Sequence, residues 1–582
     1  MYCIFIYGLP ARDADTTFFA YGNLLSNHPP TEMSSPTSKI EEIIDTTQDS
    51  DAQDDSDDNG AEEHEHDGTQ RQQEPSSSTA SSSKKKKKKR SKAAKALNAL
   101  TGKSIPQALV DQVLDSVKAE GGEGSEQANA ENVRQALEHM KIMDVVKGKA
   151  GFGGLNKKDM GEHKFWSTQP VPQLGEGPPE EDGYIEPSQP AEEVRQDPYP
   201  LPKDFEWSII DITDPSQATE VHELLSLHYV EDGDATFRFK YSAEFLQWAL
   251  QVPGYSKEWH IGVRVKSNKK LVGFISGVPM LLRVRKNKFM SAEINYLCVH
   301  KKLRSKRLAP LLIKEVTRQI HLQGIFQAIY TAGVVVPTPV STTQYQHRNL
   351  NVTKLIDIQF SFVPRNMTLA RMIRLNQLSN KTQLPGMREM TEKDIPQVTE
   401  LYSKYMERFD MVPIMNAQEV RHQFLSGSGK AGTGDKWRRD GQVVWAYVVE
   451  DNDTHKITDF MSFYSLPSTV INHPKHGLLE AAYLHYYASD AAFVENADEN
   501  GVLKERLQGL IGDALIVANN AKFDVFNALT MMDNSLFLKE LRFAVGNGFL
   551  NFYLYNWRTA PLAGMKEENG VPVGRGIGVV MV

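Results

Sequence analysis

An α/β protein of two similar halves, preceded by a disordered arm, is predicted by three observations on this 582-residue sequence. Residues 34–151 contain no Phe, Tyr or Trp, whereas residues 152–582 hold 46 of the 52 aromatics. A stretch so rich in Ser, Glu, Asp, Gln and Lys cannot bury enough apolar surface to offset its ordering entropy. From Phe205 onward strand and helix patterns alternate, and the order meander, helix, strand occurs twice. Residues 1–150 are therefore the arm, 151–365 the first half and 366–582 the second.

The arm carries two opposed charge blocks. Residues 41–67 hold thirteen Asp or Glu and no Lys or Arg, and residues 84–95 reverse this with Lys84 to Lys89, Arg90, Lys92 and Lys95. Such blocks mark an interaction tail. Phosphate contact with ribosomal RNA through counterion release is the functional expectation; a nuclear-localisation signal and a merely solvated tail are the alternatives.

In the first half, WHIGVRV, KLVGFISGVPMLLRVR and FMSAEINYLCVH read as strands joined by the turns KSNKK and RKNK, an antiparallel meander. The loop KKLRSKRLAP follows, then a helix with Ile313, Val316 and Ile320 on one face, then the strand FQAIYTAGVVV. The second half repeats the order with QVVWAYVVE, ITDFMSFYSLPSTV, LLEAAYLHYYAS, the helix LKERLQGLIGDALIVANNA and the strand FDVFNALTM, and adds FLNFYLYNWR near the end.

Several classes drop out. Two cysteines, Cys3 and Cys298, exclude a disulfide framework or a Cys-rich zinc module and suit a reducing cytosol. No apolar run reaches the eighteen or so residues that span a bilayer, and the first residues lack the basic n-region of a signal peptide. A cytoplasmic monomer without a prosthetic group or metal is expected.

The chemistry concentrates in EINYLCVHKKLRSKRLAPLLIKEVTRQI, residues 293–320. A strand runs into a loop with Lys301, Lys302, Arg304, Lys306 and Arg307, which ends on Ala309 and Pro310, suited to a first helical turn. Backbone N–H groups at a helix start, together with this charge, form an anion site. There is no GxxxxGK[ST], and no GxGxxG follows a strand, so the pyrophosphate of an acyl-CoA fits better than a nucleoside triphosphate or a dinucleotide. A solvated basic loop is the alternative. The matching connection of the second half, SDAAFVENADENGVLKE, is acidic and unsuited to phosphate. One half would bind the acyl carrier and the other host the acceptor.

These residues carry a family resemblance. EINYLCVHKKLRSKRLAP resembles the signature of the N-myristoyltransferases, as do HKFWSTQPVP (163–172), YVEDGDATFRFKYSAEFLQWAL (229–250), GIFQAIYTAGVVVPTPV (324–340), FYSLPSTVINHP (463–474), KFDVFNAL (522–529) and FYLYNW (552–557). The likeness spans nearly all of residues 160–582. It departs at RFAVGNG, where Ala544 and Asn547 stand for a Gly and an Asp of the family pattern, and at Gly233, which interrupts an acid run.

The resemblance implies two fused acetyltransferase-like (GNAT-type) halves related by a pseudo-twofold axis. It implies transfer of myristate from myristoyl-CoA to the N-terminal glycine amine of a protein by direct attack on the thioester. Backbone N–H groups of Tyr296 and Leu297 would form the oxyanion hole, and the terminal carboxylate of Val582 would be the base. Sequence physics alone reads the tail GIGVVMV as an ordinary last strand. Thr331 and the carbonyl of Asn295 would orient the amine. The CoA contacts implied are His163, Lys164, Phe165, Trp166, Leu297, Cys298, Val299, Arg304, Ser305, Lys306, Arg307, Leu308 and Ala309. Cys298 is expected as packed core, since an amine acceptor needs no acyl-enzyme.

The acceptor peptide would lie along Tyr229, Val230, Glu231, Asp232, Asp234, Phe237, Phe239 and Tyr241, where the acids attract a basic substrate residue. Gly333, Tyr345, His347, Ser468, Tyr483, Asn527 and Asn547 match further groove positions, His347 as a hydrogen-bonding wall. Two other functions are compatible with parts of the sequence. One is an acetyltransferase acting on amines; the other is a ribosome-associated adaptor without activity.

Overall fold

The computed structural model describes residues 164–173, 176–232, 235–432, 434, 436–564 and 575–582. The arm with its run Lys84 to Lys95, His163, Asp234 and the side chain of Ser305 lie outside the described residues.

The first half opens with β1 (Phe205–Ile209), α1 (Pro215–His228), β2 (Phe237–Phe239) and α2 (Ala243–Leu250). Asp214 and Ser242 cap the two helices, accepting the N–H groups of Ser216 and Phe245. The predicted meander follows as β3 (His260–Val265), β4 (Leu271–Val284) and β5 (Asn287–Val299), then α3 (Leu308–Leu322), β6 (Ala328–Ala332) and β7 (Ser341–Asn349). Helix α3 buries Leu312, Ile313, Val316 and Ile320 against the sheet, as its periodicity predicts. It packs closely because β4 presents glycine there: a Cβ on Gly273 or Gly277 would lie 3.3 Å from Leu312 or Ile320.

The second half comprises β8 (Met387–Glu389), α4 (Ile395–Met406), β9 (Met411–Pro413), β10 (Val444–Glu450), β11 (Ile457–Ser465), β12 (Ser468–Val470), β13 (Leu478–Leu479) and β14 (Ala481–Ser489). Helix α5 (Val502–Asn520), β15 (Val525–Leu529) and β16 (Ala544–Tyr555) complete it. Again an antiparallel trio, β10, β11 and β14, leads through a helix to a strand parallel with the last of the trio.

One mixed sheet joins the halves in the order β1-β3-β4-β5-β6-β16-β7-β15-β14-β11-β10-β8, with β9 on β4. The order reads alike from both ends, so the pseudo-twofold axis passes between β16 and β7. The last strand of each half is exchanged. β16 pairs with β6 of the first half from Asn551↔Ala332 to Tyr555↔Ala328, and β7 pairs with β15 of the second.

Three features differ from the sequence-based expectation. Strand β7, STTQYQHRN, is polar and escapes an apolar alternation rule, yet it lies between two strands that satisfy its backbone. FQAIYTAGVVV is strand only to Ala332, after which the chain turns and the Tyr553 hydroxyl accepts the Val336 N–H. The tail joins no strand: Ile577 makes a single bridge with Met411, and Val582 ends buried.

Candidate active site

The site begins with an irregularity in the β4–β5 ladder. Phe274 faces Cys298 but Ser276 faces Asn295, so β5 carries one extra residue at Tyr296–Leu297, where Tyr296 takes φ +56°. Such a bulge lifts backbone groups out of the ladder. Beside it, β5 and β6 pair only at Ala292↔Ala328 and Glu293↔Ile329 and then diverge. A small apolar pocket, partly open to solvent, lies there, lined by Ile294, Ile313, Val316, Phe326, Tyr330 and Trp166 among others. Trp166 stacks on Tyr330 at 5.3 Å, and Phe165 meets Trp166 edge-on at 5.2 Å. Lys164 is exposed next to them. The segment assigned by resemblance to the CoA end thus closes one wall of this pocket.

After Val299 the chain makes a 3-10 turn over Lys301–Lys306, passes through left-handed Arg307 (φ +58°) and enters α3. Leu303 and Leu308 point inward, so Lys301, Lys302, Arg304, Lys306 and Arg307 stay exposed around the helix start, with Ala309 half-buried. Beneath them the His228 and His300 rings lie 3.9 Å apart. Burial first, then the surrounding cations, hold His228 at about 3 and His300 at about 4. Both are neutral near pH 7, and the loop's charge comes from Lys and Arg alone.

The second half repeats the bulge: Met461 faces Tyr487 but Phe463 faces Leu484. There Ser462 Oγ accepts the Tyr486 N–H at 3.2 Å and donates to the Tyr486 carbonyl at 2.9 Å. The equivalent position in the first half is Ile275, which has no polar side-chain atom.

The last residues of the sequence pack beside the first-half bulge. The Tyr486 hydroxyl accepts the Val580 N–H at 2.9 Å, and the Tyr296 hydroxyl donates to the terminal oxygen of Val582 at 3.0 Å. The Val582 N–H donates to the carboxylate of Glu293. That carboxylate also accepts Asn295 Nδ2 at 2.6 Å, while the Asn295 carbonyl accepts Ser276 Oγ at 3.1 Å. Full burial pushes the Glu293 carboxyl up to about 7, against the contacts from Asn295 and Val582. Thr331 Oγ1 is buried without a hydrogen-bond partner among the described residues. Burial pushes the Cys298 thiol up to about 12, which leaves it protonated and a poor nucleophile.

The acceptor positions form a connected wall. Tyr241 contacts Tyr229 and Tyr296 at 5.7 and 5.3 Å between ring centres, and Phe239 contacts Tyr241 at 6.0 Å. Phe239 pairs with Ser468 in a small three-stranded sheet, and the Val230 carbonyl accepts the Phe239 N–H. Further along, Tyr483, Asn527 and His347 sit side by side across β14, β15 and β7. His347 Nδ1 lies 2.7 Å from Asn527 Oδ1; burial lowers the imidazole's pKa, opposed by that contact, so it stays neutral. Tyr345 lies parallel to His347, Gly333 follows β6, and Asn547 is exposed on a two-residue bulge of β16. Phe237 packs edge-on against Phe360, which also meets His347.

Glu231 and Asp232 are already engaged. Glu231 holds Lys301 at 2.5 Å and Arg238 at 2.6 Å, and Asp232 accepts the N–H groups of Thr236 and Phe237. Glu293 and the side chains of Tyr296 and Tyr486 were not anticipated as site residues. The one signal for Glu293 is a lone charge in the otherwise uncharged stretch SAEINYLCV.

A duplicated half with a splayed strand pair, an adjoining bulge and a basic loop at a helix start defines an acyl-CoA-dependent acyltransferase. Residues 184–343 match the N-terminal domain of myristoyl-CoA:protein N-myristoyltransferase, and residues 357–580 match its C-terminal domain. Glycylpeptide N-tetradecanoyltransferase of Emericella nidulans is 49% identical over 457 residues, covering 77% of this chain and 90% of that protein. The Schizosaccharomyces pombe protein of the same name is 46% identical over 473 residues, covering 80% and 97%. The crystal structure of Saccharomyces cerevisiae N-myristoyltransferase with bound myristoyl-CoA superimposes with TM-score 0.68 at 47% identity, covering 72% of this chain and 99% of that one. The chain belongs to the myristoyl-CoA:protein N-myristoyltransferase family and is an acyltransferase.

Proposed function

We propose that this protein transfers myristate from myristoyl-CoA to the N-terminal glycine amine of protein substrates, without an acyl-enzyme, using its own C-terminal carboxylate as base. The single observation that carries the reading is the burial of Val582 beside the Tyr296 bulge, at the end of the acceptor wall. The acyl chain occupies the apolar pocket, and the CoA phosphates sit on the loop Lys301 to Arg307 at the start of α3. The glycine ammonium, desolvated between Tyr229, Tyr241 and Tyr296, gives a proton to Val582. Thr331 Oγ1 and the Asn295 carbonyl orient the amine nitrogen. As the N–C bond forms, charge gathers on the thioester oxygen, and the bulge N–H groups of Tyr296 and Leu297 receive it. Collapse breaks the C–S bond; CoA leaves as thiolate and takes the second amine proton.

Removing the last few residues tests the base. Turnover should fall by orders of magnitude with myristoyl-CoA affinity nearly intact, and unchanged turnover would sink the assignment. Acetyl-CoA offered in competition with myristoyl-CoA to a Gly-initiated peptide separates this function from amine acetylation. The lysine run of the arm is proposed to hold part of the enzyme on ribosomes, in the cytoplasm.

A further inference from the structure

We infer that Arg575 is a positioning residue that fixes the reach of the C-terminal tail through an ion-pair clip remote from the acyl pocket. The inference rests on the reading of Val582 as base. The Arg575 guanidinium donates from Nε to Asp533 Oδ1 at 2.9 Å and from Nη2 to Asp498 Oδ1 at 2.6 Å. Asp533 is buried, while Arg575 and Asp498 are each about two-fifths exposed.

The clip is the outer end of a continuous grip. The carbonyls of Arg575 and Gly576 accept the N–H groups of Asp410 and Met411 at 2.9 Å. The Ile577 carbonyl accepts the Met532 N–H at 2.9 Å, and the Gly578 N–H donates to Met411 at 2.8 Å. Asp533 directly follows Met532, so the side-chain clip and the backbone grip come from one turn.

Slippage is blocked separately. A Cβ on Gly576 would lie 2.2 Å from the Ala563 carbonyl oxygen, and one on Gly578 would lie 2.7 Å from Val412 Cγ1. A slip of one residue moves the terminal carboxylate by about 3.4 Å, beyond hydrogen-bond reach of Tyr296. The glycine slots forbid the wrong register but exert no pull. Arg575 supplies the pull on the outer side, and Tyr296 and Glu293 hold the inner end.

The cluster is redundant in charge but not in geometry. Arg408 also reaches Asp533 (Nε, 3.2 Å) and Asp498 (Nη2, 3.0 Å), and the Tyr405 hydroxyl donates to Asp533 Oδ2 at 2.8 Å. Losing Arg575 therefore leaves both aspartates partnered and no buried charge stranded. What is lost is the tether on the tail.

The test compares Arg575→Ala and Arg575→Lys, each with and without removal of Val582, by kcat, myristoyl-CoA affinity and melting temperature. Arg575→Ala should lower kcat roughly 10–100-fold, the scale of an ångström-level misplacement, with acyl-CoA affinity and melting nearly unchanged. Arg575→Lys should recover part of the loss, and Arg575→Ala should cost little more in an enzyme already lacking Val582. If losing Val582 cripples the otherwise unaltered enzyme while Arg575→Ala turns over normally, the clip is overturned and the base stands. Fully multiplicative losses would also overturn it. If losing Val582 changes nothing, the base assignment itself falls.

Discussion

Tyr296 and Val582, 286 residues apart in the chain, share a buried hydrogen bond in which the phenol donates to the terminal oxygen at 3.0 Å. The same residue, by its left-handed backbone, makes the bulge proposed to receive the thioester oxygen. The proposed base and the proposed oxyanion site thus meet at one residue.

Tyr296→Phe should keep the ring packing and remove only the hydroxyl. A hydrogen bond to a charged group contributes about 1.5–3 kcal/mol, so kcat should fall roughly tenfold or more, with peptide KM little changed. A donor to a carboxylate favours the charged form. Its loss should shift the acidic limb of the kcat profile to higher pH, and an unshifted limb would argue against Val582 as the titrating base.

Glu293 should make stability depend on pH. Its carboxyl is raised from 4.5 to about 7 by burial. Between those values the native state keeps a proton that the unfolded chain has released, so stability falls as pH rises through that window and levels off above it. The loss should reach about 3 kcal/mol at most. Urea unfolding at pH 5 and pH 7.5 should show this fall in the natural protein and a flatter dependence in Glu293→Gln; equal slopes would reject the burial argument.

Ile275→Ser should convert the first-half bulge into a copy of the second-half one, where Ser462 occupies the Tyr486 N–H and carbonyl. A hydroxyl competing for the Leu297 N–H should lower kcat on the order of 100-fold, the loss seen when an oxyanion donor is removed. Myristoyl-CoA binding should persist. Retained turnover would mean that the Leu297 N–H is not an oxyanion donor.

Replacing Lys84 to Lys89 with Ala should reduce co-sedimentation with ribosomes and leave peptide turnover in solution unchanged. The loss should be greatest at low salt, because counterion release sets the contact. Equal sedimentation of the two proteins would remove the ribosomal role.

Much of the fold was legible because its signals are local. The meander, α3 with Ile313, Val316 and Ile320, and the basic loop Lys301 to Arg307 follow from alternation, helical spacing and charge within a few residues. Strand β7 was not legible, since its polar residues are matched by partners distant in the chain, such as Thr342 Oγ1 with Asn551 Oδ1 at 2.8 Å. The contacts of Glu293 and Arg575 were hidden for the same reason.

By itself the sequence determined two α/β halves, a phosphate-suited loop in one and an acidic counterpart in the other, and a resemblance that named the chemistry. Only the tertiary structure decided that β7 and β16 are exchanged between halves, and that Ser462 fills one bulge while Ile275 faces the other. It also brought Val582 to Tyr296 and Glu293, and Arg575 to Asp533. Periodicity reports which face of an element is buried. It carries no record of which distant element will cover that face, because that depends on packing across the whole molecule.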